Sequence, residues 1–206
     1  MTHSGTAHGM VLRSGTEGDA AAAAALHADQ IREGFLTFLG EKFLRRLYRR
    51  LARTPDSFLL IADFEGSAIG FLAGSTHVRA LYRSFVWRDG VPATFACGGR
   101  LLRFPVRALE TLRHGTGASG QGAELLAIAV DPSAQGRGAG TLLVEGFLHE
   151  VTARRETAAH VVVAADNDAA TALYRKAGFG TVERFELHQG TDSLLMQWPT
   201  APDGES

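Results

Sequence analysis

The chain has little of several features that mark other protein classes. It contains one cysteine in 206 residues, so an intramolecular disulfide is impossible and a cysteine-based zinc site would lack ligands. No apolar run approaches the ~20 residues that cross a bilayer, and residues 1–10 lack the basic-then-apolar order of a signal peptide. The net charge of −1 argues against a dedicated nucleic-acid binder. We therefore expect a soluble, cytoplasmic protein with no metal, no nucleic-acid partner and no stable membrane insertion.

The remaining composition is typical of one folded domain. Apolar residues make up 45% and charged residues 21% of the chain, as in ordinary globular proteins, and the length favours a single domain. The polar start predicts a flexible tail at 1–9, followed by one domain at 10–198 and a C-terminal tail at 199–206.

Periodicity and turn residues predict a mixed α/β pattern. Thr16 and Asp19 have the spacing of a capping box ahead of an alanine-rich helix. Strands are predicted at 10–13, 58–63, 68–74, 123–130, 160–165, 180–187 and 193–198, and helices at about 20–30, 40–53, 138–153 and 168–177.

The segment 77–120 is distinct because it is rich in arginine. Seven arginines stand against two acidic residues, a local charge of +5, and aromatic and aliphatic residues alternate with them. The pattern predicts a helical insertion of one or two amphipathic helices. Its arginines are compatible with a solvated cap, with a lid over an anionic acceptor, or with contact to a membrane surface or an acyl carrier protein.

A glycine-rich turn follows the apolar strand at 123–130. Gln135-Gly136-Arg137-Gly138-Ala139-Gly140 places three glycines on alternate positions before a helix. Backbone N–H groups in such a turn, with the helix N-terminus, form an anion site suited to phosphates, and Arg137 adds a positive charge. A P-loop would need a lysine that is absent here, and the glycine spacing does not match a Rossmann fingerprint.

Two motifs resemble those of the GNAT superfamily of acetyl-CoA-dependent N-acyltransferases. Gln135-x-x-Gly138-x-Gly140 is similar to the family's pyrophosphate-binding motif, and Asn167, followed by Tyr174 and Gly178-Phe179, is similar to its second signature. The element order matches from about residue 10 to 198. The resemblance implies an α/β fold of the α+β type, with a central, mostly antiparallel sheet of six to seven strands, splayed at the cofactor strand, and flanking helices.

The resemblance also implies how acetyl-CoA binds as co-substrate. By analogy Ile128, Ala129 and Val130 line the pantetheine arm, Asn167 contacts the CoA arm, and Tyr174 lies near the thioester sulfur. The residues expected to cradle the pyrophosphate are Gln135, Gly136, Arg137, Gly138, Ala139, Gly140 and Thr141.

Acetyl transfer to an amine needs a base and an acid. The amine must be neutral to attack, although a lysine-type amine has a pKa of about 10.4, and the leaving thiolate needs a proton. We expect Tyr174 as the acid and Glu124, at the start of the cofactor strand, as the base, directly or through water. The family normally transfers the acetyl group directly, so Cys97 is not expected to act as a nucleophile.

The position of the base departs from one subgroup of the family. Some members use a glutamate five residues before the motif asparagine, and that position is Val162 here. This difference weighs against an N-terminal acetylase of ribosomal proteins. Four histidines are fallback bases: His77, His114, His160 and His188.

The sequence therefore predicts an N-acetyltransferase that moves an acetyl group from acetyl-CoA to a primary amine of a small molecule in a ternary complex. Whether the protein forms a homodimer is left open. The alternatives are a non-catalytic CoA-binding sensor or partner module, and an acyltransferase acting at a membrane or on a carrier-linked substrate.

Overall fold

The computed structural model describes residues 6–7, 9–31, 37, 40–78, 80–81, 122–188 and 191–199. Most of the predicted insertion at 77–120, including Cys97 and His114, lies outside the described residues, as does 200–206 of the predicted C-terminal tail. The side chain of His188 is also outside them. Within the described part, no helix is both long and apolar enough to cross a membrane.

One sheet of eight strands organises the fold, in the spatial order β1-β2-β3-β4-β5-β6-β8-β7. The strands are β1 (Thr6–Ala7), β2 (Met10–Ser14), β3 (Ser57–Phe64), β4 (Ser67–Ser75), β5 (Ala123–Val130), β6 (Ala159–Ala164), β7 (Gly180–His188) and β8 (Thr191–Trp198). The helices are α1 (Ala20–Gln30), α2 (Glu41–Arg53), α3 (Ala139–Ala153) and α4 (Asp168–Lys176). The predicted α/β fold is confirmed, with the two-residue β1 added at the edge of the sheet.

The sheet is mostly antiparallel, as predicted, and β5–β6 is its parallel pair. These two strands pair only from Ala123 to Leu125 on β5 and from Ala159 to Val161 on β6. Beyond those residues β4 is the one described strand that pairs with β5. The predicted splay of the cofactor strand is therefore present.

Helices cover both faces of the sheet. On one face, which we call the α1/α2 face, Tyr48 of α2 packs edge-on to Phe71 of β4. On the other, the α3/α4 face, Phe147 of α3 packs against Phe58 of β3. Side chains alternate between the two faces along a strand. A strand residue whose sequence neighbours pack into the core of one face therefore points to the other face.

Local sequence signals account for the first two helices. The Asp19 carboxylate accepts the backbone N–H of Thr16 at 2.7 Å and bonds the Arg13 guanidinium at 2.7 Å, which confirms the predicted capping box ahead of α1. These bonds, led by that from Arg13, lower the pKa of Asp19 to about 2. In α2 the buried side chains recur at helical spacing and are Phe43, Leu44, Leu47, Tyr48 and Leu51.

Candidate active site

A gap between β5 and β6 is the centre of the candidate site. A register shift between Ala73 and Gly74 of β4 leaves Leu126 outside the pairing, and β5 diverges from β6 from this residue onward. The predicted pantetheine-lining residues Ile128, Ala129 and Val130 all lie in the divergent part. Their edge of β5 presents backbone groups that no described strand pairs, and an amide-bearing chain can bond such an edge like an added strand.

The side chains of Asp131 and Gln135 make three hydrogen bonds in the turn after β5. Asp131 accepts the backbone N–H of Ser133 at 2.9 Å and its hydroxyl at 2.6 Å, and these bonds, the hydroxyl first, lower the pKa of Asp131. Gln135 donates its side-chain amide to the Val130 carbonyl at 3.2 Å. The turn is thereby tied back to the end of the cofactor strand.

The two glycines before α3 leave room for a ligand. Gly136 and Gly138 have φ of +72° and +90°, and a Cβ at either would meet no atom within 4 Å. The helix makes its first bond from Leu142 N–H to the Gly138 carbonyl at 2.9 Å, and no side chain caps it. The preceding N–H groups are therefore available to an anion, and the residues present fit a pyrophosphate.

Arg137 projects from the same turn and is exposed. Its guanidinium lies 5.1 Å from the centre of the Phe64 ring. Such a cation–π contact restrains a long side chain while leaving its N–H donors free to bind a phosphate.

Helix α4 contributes the second predicted motif. The Asn167 side-chain oxygen accepts the backbone N–H of Ala170 at 3.0 Å, so Asn167 caps the helix. Close packing brings α4 to the start of α3, since a Cβ on Gly140 would lie 3.2 Å from Leu173. The two motifs, separate in sequence, are thus adjacent in the fold.

Tyr174 is buried on the α3/α4 face. It is 3% exposed, and its ring centre lies 5.7 Å from that of Phe179. Burial raises the pKa of its hydroxyl, so the phenol stays protonated at neutral pH. One turn earlier, the buried Thr171 hydroxyl has no hydrogen-bond partner in the described part of the chain. Sequence reasoning did not single out Thr171, although it lies four residues after Asn167 on the same helix.

Glu124 lies beside the point where β5 and β6 separate. Its neighbours Ala123 and Leu125 belong to the core of the α3/α4 face, so the Glu124 side chain points to the α1/α2 face. Its Oε2 lies 3.5 Å from Nε2 of His160, the residue directly opposite on β6. The structure therefore pairs the predicted base with one of the predicted fallback bases.

Two other positions considered in the sequence, Val162 in place of a glutamate base and the fallback base His77, lie outside this pair. Val162 of β6 lies opposite Leu195 of β8, and His77 contacts the Thr76 hydroxyl after the end of β4. Among the described residues, no group of three or more His, Cys, Asp or Glu side chains is arranged to hold a metal ion.

Comparison with known proteins decides the family. A family model described as acetyltransferase (GNAT) family matches residues 26–179. The chain belongs to the GNAT family. Members of this family use acetyl-CoA and are acetyltransferases, so the expected enzyme class is confirmed.

Individual relatives match over shorter stretches. The chain is 39% identical over 82 residues to the [ribosomal protein bS18]-alanine N-acetyltransferase of Salmonella typhimurium, covering 37% of this chain and 55% of the relative. It is 42% identical over 57 residues to the mycothiol acetyltransferase of Gordonia bronchialis, covering 28% of this chain and 18% of the relative. The chain thus matches about half or less of the length of these relatives.

A solved structure shares the whole fold. The structure of yncA from Salmonella typhimurium, solved with its cofactor acetyl-CoA, aligns with a TM-score of 0.59 at 16% identity, over 96% of this chain and 99% of that one. At this identity the likeness concerns the fold.

Proposed function

We propose that the protein transfers an acetyl group from acetyl-CoA to a primary amine by direct attack in a ternary complex. One observation carries the proposal: Glu124 points to the α1/α2 face, Tyr174 is buried on the α3/α4 face, and the gap between β5 and β6 lies between those faces. A thioester in this gap would have a base on one side and an acid on the other.

Acetyl-CoA binding is supported by two parts of the chain. The free edge of β5 from Leu126 to Val130 offers backbone donors and acceptors to the pantetheine amides. The open space beside Gly136 and Gly138, at the N-terminus of α3, suits the pyrophosphate. A thioester bound in this way would lie beside the point where β5 and β6 separate.

The chemistry then needs a base, an oxyanion donor and an acid. Glu124 takes a proton from the acceptor ammonium, directly or through water, and the neutral amine attacks the thioester carbonyl. A backbone N–H of β5 between Ile128 and Val130 stabilises the oxyanion of the tetrahedral intermediate. When the carbon–sulfur bond breaks, the thiolate takes the hydroxyl proton of Tyr174, which is protonated at neutral pH. The former amine nitrogen then loses its extra proton, which returns through water to the Tyr174 phenolate, and Glu124 releases its proton to solvent.

Two acceptor classes have separate support. The relative that matches the longer stretch is named for the alanine of a ribosomal protein, which favours the α-amine of a polypeptide as the first candidate. The small-molecule amine expected from the sequence is the second. It is favoured by Val162, which stands where some family members carry a glutamate base.

Acetyl-CoA turnover, measured as thiol release, separates the two classes. The panel contains a peptide with a free N-terminal alanine, the same peptide with a blocked N-terminus, and an amino sugar, an amino acid and a polyamine. Thiol release with the free peptide, together with background release with the blocked peptide, supports a peptide α-amine as the acceptor. Release with one small amine alone supports the second class. Tight CoA binding without release on any amine contradicts the catalytic proposal and favours the sensor.

A further inference from the structure

His160 is a buried imidazole that the reaction steps above do not use. It is 6% exposed. Its strand neighbours Ala159 and Val161 pack into the apolar core of the α3/α4 face. The imidazole therefore points to the α1/α2 face, the same face as Glu124.

The register of the sheet places His160 within a polar row. Ser57, Ser75, Glu124, His160 and Gln197 lie directly opposite one another on five neighbouring strands. Residues paired in this way present their side chains to the same face. The row crosses β5 and β6 one residue before their last paired position, so it lies at the closed end of the gap.

Within this row the Glu124 carboxylate contacts His160. Ser75, on the other side of Glu124, already bonds the Ser57 hydroxyl at 3.1 Å and the Asp56 carbonyl at 3.0 Å. The Glu124 side chain is 17% exposed and the His160 side chain 8%. Contacts between such partly desolvated groups are screened less than those at the surface.

We propose that His160 is a positioning residue for Glu124. Its Nε2–H holds Oε2 of the carboxylate and leaves Oε1 to receive the proton of the acceptor ammonium. A free glutamate side chain would sample several rotamers, and a 1 Å misplacement of a catalytic group can lower a rate ~10²-fold. The inference rests on the proposed function, because the role of His160 is to hold Glu124, the base of that reaction, in position.

Two substitutions at this position separate positioning from packing. His160→Leu puts an apolar side chain of similar size in place of the imidazole and removes the donor. His160→Gln restores an N–H donor at nearly the position of Nε2. Ser57→Ala is the matched control, because it removes a buried hydrogen bond from the same row, two strands away from Glu124.

The readouts are kcat, KM for acetyl-CoA and the thermal midpoint, measured on the full chain. We expect His160→Leu to lower kcat by about 10- to 100-fold with KM for acetyl-CoA unchanged, His160→Gln to recover most of that loss, and Ser57→Ala to keep the wild-type kcat. Wild-type kcat in His160→Leu overturns the proposal, and so does a loss in His160→Gln as large as in His160→Leu. No turnover by the unmodified protein overturns the proposed function itself.

Discussion

Glu124 and Tyr174 lie on opposite faces of one sheet, on either side of the gap that opens between β5 and β6. Their environments differ. Glu124 is partly exposed and contacts an imidazole, whereas burial raises the pKa of Tyr174 and keeps its phenol protonated. The proposed base and the proposed acid therefore lie on opposite sides of the sheet.

Tyr174→Phe tests the acid. The substitution keeps the packing against Phe179 and removes the hydroxyl, so we expect turnover to fall by ~10²–10⁴-fold with little change in CoA affinity. Tyr48→Phe is the matched control, because Tyr48 is also a buried phenol and bonds His27 on the other face. Steady-state kinetics and CoA titration check both variants. Unchanged turnover in Tyr174→Phe would remove this residue from the mechanism.

Glu124→Gln tests the base. At neutral pH we expect a loss of ~10²–10⁴-fold in kcat, because most acceptor molecules then carry a proton that the enzyme no longer removes. The loss should shrink as the pH approaches the pKa of the acceptor amine. The pH–rate profile measures this, with Glu183→Gln, an exposed glutamate of β7, as control. A profile that matches the wild type would show that Glu124 is not the base.

Gly138→Ala tests the phosphate cradle. The added Cβ would enter the open space beside the N-terminus of α3, so we expect CoA affinity to fall at least tenfold, about 1.4 kcal/mol. Gly66→Ala is the matched control, since Gly66 has a similar φ of +81° and equally open surroundings in the turn between β3 and β4. Both should lose comparable stability from backbone strain. Equal CoA affinity in the two variants would contradict the cradle.

The sequence predicted those helices and strands whose pattern is carried by residues close together in the chain. The alanine run and capping box predict α1 at 20–30, and the apolar run at 123–130 coincides with β5. The strand β1 was not predicted, because two residues carry no alternation that a period of two could reveal.

The contact between Glu124 and His160 was also beyond sequence reasoning. Both residues were named separately as candidate bases. Their pairing depends on the register of two parallel strands joined through helix α3, and no local pattern specifies that register. The same holds for the opposite faces of Glu124 and Tyr174, which depend on the tertiary arrangement of the helices.

His27 makes stability depend on pH on the α1/α2 face. It is buried, its Nδ1 lies 2.5 Å from the Tyr48 hydroxyl, and burial lowers its pKa to about 4. Between pH 6.5 and 4 the unfolded chain binds a proton at this residue that the folded protein does not, so the free energy of unfolding falls as the pH is lowered, by roughly 3 kcal/mol in all.

Urea denaturation at several pH values measures this dependence. His27→Gln keeps a neutral polar side chain without the titration, so its free energy of unfolding should fall less steeply between pH 6.5 and 4 than that of the wild type. Groups other than His27 contribute equally to both proteins and cancel in the comparison. Identical slopes would contradict a neutral, buried His27.

The central claim is direct transfer from acetyl-CoA to an amine held in the same complex. Mass spectrometry of the acceptor and of the protein after incubation with acetyl-CoA tests it most directly, together with the amount of free thiol released. Direct transfer predicts one acetyl group on the acceptor amine for each free thiol released. It also predicts that the protein stays unmodified, with or without acceptor. An acetyl group on the protein when the acceptor is left out, or bound CoA with no acetylated amine from any acceptor, would contradict it.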